Sequence, residues 1–108
     1  MILDIVESID GYPIRLTEER WYDHIVFRRP YMSGYLETVL DAVYYPEFIL
    51  PADDGSKVAV LNVGKNQWLH VFYIEYVNED NKKDGFVTTA YIKPEYNRKK
   101  RKIWQRDN

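Results

Sequence analysis

Arg20, His24 and Arg28 recur at intervals of four, so a helix through this stretch sets two guanidiniums and an imidazole on one face. An imidazole titrates near neutral pH and can move a proton, and a guanidinium offers a fork of donors to a phosphate oxygen. Arg29 adds a second cation beside Arg28, where the end of a helix favours positive charge in any case. Far along the chain, Asp84-Gly-Phe-Val-Thr-Thr-Ala-Tyr91 reads as a strand carrying hydroxyls. Thr88 and Thr89 must point to opposite faces of that strand, so one of them can face the helix. Tyr73 and Glu75 share a face of the preceding strand, and near His24 they could position a ribose 2′-hydroxyl and a proton donor. This is a kit for binding or cleaving a phosphodiester. The plainer reading of the helix face is solvation, with His24 paired to Asp23 or Glu75 or bonded to a backbone carbonyl.

Metal chemistry finds little purchase. His70 is the only other histidine, and the acids around the pair form no metal-ligand spacing. There is no cysteine, so disulfides and thiolate ligands are excluded. Val63-Gly64-Lys65 lacks the glycines of a phosphate loop, and no Gly-x-Ser-x-Gly elbow exists. The expectation is no metal and no cofactor.

The elements that must position these residues follow from period and punctuation. Met1 to Val6 is an apolar strand, Asp10-Gly11 a hairpin signal, and Pro13 to Leu16 the returning strand. Thr17 is a suitable N-cap, Glu18 and Glu19 suit the first turn, and Pro30 ends the helix near Arg29. Leu36, Val39, Leu40 and Val43 form one apolar stripe of a second helix over 33–45, which Pro46 ends. The period then falls to two. Strands are expected at 48–50, 57–63, 68–77 and 86–92, with a polar loop over 78–85 and a last short strand or docking point at Ile103-Trp104. The fold class is α+β: an N-terminal β-hairpin, two helices, then an antiparallel meander with the helices on one face.

With 108 residues, 45% of them hydrophobic and 30% charged, the chain suits one globular domain, 1–108. The net charge of −2 conceals a basic C-terminal segment, 93–108, with seven basic and two acidic residues. Such a run can hold a nucleic-acid backbone. No apolar run reaches membrane-spanning length, and the acid-broken N-terminus is no signal peptide. A cytoplasmic location fits.

The segments Ile14 to Ile25, Gly34-Tyr35, Val39-Leu40, Pro46, Trp68-Leu69, Tyr73, Asp84 to Tyr91 and Ile103-Trp104 resemble small bacterial and cyanobacterial proteins. Those are akin to the phage-type branch of the barnase/EndoU/colicin/RelE-like nuclease superfamily. The resemblance implies a RelE/barnase-like fold that cuts RNA without metal, by attack of the 2′-hydroxyl on the neighbouring phosphorus. It implies His24 as acid or base, Arg28 on the phosphate, and Thr88 or Thr89, here Thr89, completing the catalytic set. The pattern has histidine where this chain has Arg29, and a basic residue where it has Ile74. RNA binding is expected at Arg20, Arg29, Tyr91, Arg98, Lys99, Lys100 and Arg101. The expected partners are RNA (tRNA or ribosome-bound mRNA) and an antitoxin or immunity protein, with a homodimer as a further option. The second reading is a non-catalytic RNA- or protein-binding module of the same fold.

Overall fold

The computed structural model describes residues 1–107. Strands β1 (Ile2–Glu7) and β2 (Pro13–Thr17) form the expected antiparallel hairpin. Gly11 takes φ +82° at its turn, a conformation open to glycine, and its N–H donates to the Ser8 carbonyl at 2.9 Å. β3 (Phe48–Pro51), β4 (Lys57–Gly64), β5 (Gln67–Val77) and β6 (Lys83–Lys93) form the meander, and β7 (Trp104–Gln105) pairs with β3. The sheet order is β1-β2-β6-β5-β4-β3-β7. Every neighbouring pair is antiparallel except β2 and β6, which meet in parallel at the single register pair Arg15–Phe86.

Thr17 Oγ1 accepts the Arg20 N–H at 3.2 Å, the capping role expected of it. The first helix, however, is wound as a π-helix over Glu19–Val26 rather than as an α-helix. Its buried residues are Trp21 and Ile25, which join the main core. The expected second helix is split into a 3₁₀ turn, Pro30–Gly34, and α1, Leu36–Tyr44. β6 begins at Lys83, three residues earlier than its apolar run suggests, because β5 supplies ladder partners for Lys83, Asp84 and Gly85. No helix among the described residues is long and apolar enough to cross a membrane.

The main core lies between the helices and one sheet face. Ile14, Leu16, Trp21, Ile25, Leu69, Val71, Val87 and Ala90 all pack there. Val87 and Ala90 both face this core although they are three residues apart, because a bulge between them leaves Thr88 as an extra residue. Strict alternation therefore fails at the threonine pair. The opposite sheet face is free of helices and carries a second cluster, Phe48, Leu50, Val58 and Val60. The segment after β6 crosses this face, with the Tyr96 ring 4.6 Å from Phe48 and 4.8 Å from Trp68.

Candidate functional site

A groove of about 700 Å³ runs along the helix-free face. Its floor includes Leu50, Val58 and Phe72, and its walls include His70, Tyr91, Lys93, Tyr96, Arg98, Lys99 and Lys100. Glu95 is the one acidic residue lining it. Cations and aromatic faces together are what a single strand of nucleic acid needs, since the former hold phosphates and the latter stack bases.

His70 comes from β5 and is 6% exposed. Its Nδ1 lies 2.9 Å from the Trp68 carbonyl, an oxygen that can only accept. Nδ1 therefore carries the proton, and Nε2 is an acceptor. Burial pushes the His70 pKa below the usual histidine value; Lys93 adds to the shift, and the bond to Trp68 opposes it. Its cross-strand partner is Tyr91, with the two rings stacked at 5.3 Å. Tyr91 also lies 5.5 Å from the Phe72 ring, with the Arg29 guanidinium 5.0 Å and the Lys93 ammonium 4.8 Å from its own ring centre. Burial raises the Tyr91 pKa, against the pull of Arg29.

Arg29 leads from this groove to the π-helix. Among the described residues the C-terminal half of β6 has no strand beyond it, and Tyr31 caps that free edge: its hydroxyl accepts the Ile92 N–H at 3.0 Å and donates to the Ile92 carbonyl at 3.3 Å. Arg29, Arg28 and Arg20 all lie within electrostatic reach of His24, and Arg20 also lines a small cleft with Arg15, Thr17, Phe86 and Val87. His24 is half-buried and makes no side-chain hydrogen bond among the described residues. Its pKa is lowered, first by burial and then by Arg20, Arg28 and Arg29. The shift favours the neutral imidazole, and three guanidiniums contribute to it.

No family model matches this chain, and no curated protein or solved structure matches it either.

The residues singled out in the sequence divide between these two places. Arg20, His24, Arg28 and Arg29 share one electrostatic neighbourhood. Tyr91, Arg98, Lys99 and Lys100 line the groove. Thr89 sits opposite Phe72 on the groove face, whereas the Thr88 hydroxyl is spent on the Phe72 carbonyl at 3.3 Å. The basic segment is partly tied down. Arg98 donates to the Tyr96 hydroxyl at 2.8 Å, and Lys100 reaches the Pro51 carbonyl at 2.9 Å and Asp53 at 3.3 Å. Arg101 is exposed and lines none of the grooves described. Glu75 is not available to His24, because Ser8 and Lys57 both bond to it. Tyr73 is sealed in the core, where burial raises its pKa. Sequence reading passed over His70, Lys93 and Tyr96 as ligand-facing groups. The usable signal was the alternation Trp68, His70, Phe72, which puts two aromatic rings and an imidazole on one face.

Proposed function

We propose that this protein is a small metal-independent ribonuclease that lays single-stranded RNA along the helix-free groove and around the free edge of β6 to His24. The observation that carries this reading is Arg29, which lies over the groove's Tyr91 and also within electrostatic reach of His24. Arg29 thereby links the groove cations Lys93, Arg98 and Lys99 to the arginines that act on His24. In this reading bases lie against the apolar groove floor of Leu50, Val58 and Phe72, and phosphates follow the cations. Neutral His24 takes the proton from a ribose 2′-hydroxyl, and the oxygen attacks the adjacent phosphorus while Arg28 and Arg29 hold the non-bridging oxygens. The 5′-oxygen leaves, gains a proton from water, and a 2′,3′-cyclic phosphate remains. An antitoxin with an acidic surface would fit over the same cations.

A non-catalytic RNA-binding module is the second reading, favoured by the net charge of −2, since nucleic-acid-binding domains tend to be basic overall. The deciding experiment is cleavage of a labelled RNA in EDTA by wild type, His24→Ala and Arg29→Ala, alongside binding by fluorescence anisotropy. The expected result is EDTA-resistant cutting to a cyclic phosphate, reduced about 100-fold or more in His24→Ala, with RNA binding weakened in Arg29→Ala. Binding without cutting by folded wild type selects the module, and absence of both removes RNA from the account.

A further inference from the structure

We infer that His70 makes this groove discriminate between RNA and DNA, its Nε2 accepting a hydrogen bond from a ribose 2′-hydroxyl. The inference rests on the RNA reading above and assigns the site its sugar specificity. Three observations on His70 carry it.

The first is the fixed tautomer. The Trp68 carbonyl at 2.9 Å holds the proton on Nδ1, so the remaining nitrogen can only accept. The second is accessibility. His70 is 6% exposed and lines the groove, and Nε2 has no partner among the described residues. An acceptor in a shielded wall is waiting for a donor. The third is what surrounds it. The ring is held flat against Tyr91 at 5.3 Å, and Lys93 stands 4.8 Å from the same tyrosine.

A ligand that fits must therefore bring an anion for Lys93 and Arg29, an apolar surface for Phe72 and the groove floor, and a hydroxyl donor between them. A ribonucleotide unit carries all three close together. DNA has the phosphate and the base but lacks the 2′-hydroxyl, the group by which proteins tell the two polymers apart. Covering Nε2 with a deoxyribose would strip its water and return no hydrogen bond. The penalty falls on DNA as much as the gain falls on RNA.

The test is fluorescence anisotropy with one eight-nucleotide sequence made as RNA, as DNA and as 2′-O-methyl RNA. The carrier is His24→Ala, so that cleavage does not intervene. The 2′-O-methyl strand retains the ribose pucker but lacks the donor, which separates hydrogen bonding from helix shape. RNA is expected to bind about tenfold more tightly than either other strand. Adding His70→Phe keeps a ring on Tyr91 and removes the acceptor; the preference should disappear with DNA affinity little changed. His70→Gln restores an acceptor and should recover part of the preference, which also covers the case in which the phenylalanine variant fails to fold. Equal binding of RNA and DNA by the carrier overturns the inference, as does a preference that persists in folded His70→Phe. Failure to bind all three strands overturns the RNA reading itself.

Discussion

Replacing Gly85, a buried residue of β6, with alanine should damage this protein far more than a glycine-to-alanine change usually does. A Cβ at Gly85 would run into the Ile74 carbonyl oxygen and the Ile14 Cδ1 methyl. The first is backbone of the neighbouring strand and cannot swing aside. The second belongs to a fully buried side chain. Gly85 also adjoins the only register pair joining β2 to β6, and its carbonyl accepts from Arg15 Nη1 at 3.2 Å. Overpacking against a flexible neighbour costs about 1–3 kcal/mol, and here backbone must move as well, so about 2–4 kcal/mol is expected. For a chain of this length about 4 °C accompanies each kcal/mol, giving a fall in Tm of about 8–16 °C. Gly34→Ala is the control. Nothing lies within 4 Å of its Cβ, and the substitution should leave Tm unchanged or raise it by about 2 °C. Thermal melting followed by circular dichroism reads both. A Gly85→Ala protein melting within about 3 °C of wild type would show that the strand junction yields easily, and the steric argument would fall.

Two further outcomes follow from the charged groups. Glu75→Ala removes a carboxylate, its side chain 7% exposed, that accepts from Ser8 and pairs with Lys57 at 2.5 Å. Lys57 keeps Asp10 at 2.6 Å, so urea denaturation should show a loss of about 1–3 kcal/mol rather than the full cost of a stranded buried charge; no loss would mean that the network contributes nothing. His24 and His70 both have pKa values held below the ordinary 6.5. Just below that pH the unfolded chain binds more protons than the folded one, so stability is full above about 6.5 and declines as pH falls through the lowered values. His70→Phe should flatten the decline of Tm between about pH 7 and pH 5, and an unchanged slope would contradict the burial of that imidazole.

Much of the sheet could be read from the chain. Asp10-Gly11 and Asp53-Asp54-Gly55 marked turns, and alternation located β4 and β5 to within a residue or two. What failed depended on partners distant in sequence. The bulge at Thr88 is set by the β5–β6 register, so no local pattern announces which threonine faces the groove. The π-winding of the first helix has no local signature, because buried residues spaced by four fit an α-helix as well. At the candidate site, the arginines around His24 were legible because a helix face is a local matter. The His70–Tyr91 stack was not, because it joins two strands through their register. The basic segment read as a run able to hold a nucleic-acid backbone, but its anchor did not: Tyr96 docks on Phe48 and Trp68, and Arg98, Lys99 and Lys100 line the groove.

The lone register pair between Arg15 and Phe86 also bears on how the chain assembles. The hairpin and the meander each close through neighbours in sequence, which costs little loop entropy. The seam between them joins the two halves of the chain and can form only when both are present, so it is the slow, high-contact-order step. A nascent chain would hold a finished hairpin with its apolar face bare until β6 had been made. Until then Ile14 and Leu16, which end up with no exposure at all, would lack the partners that bury them.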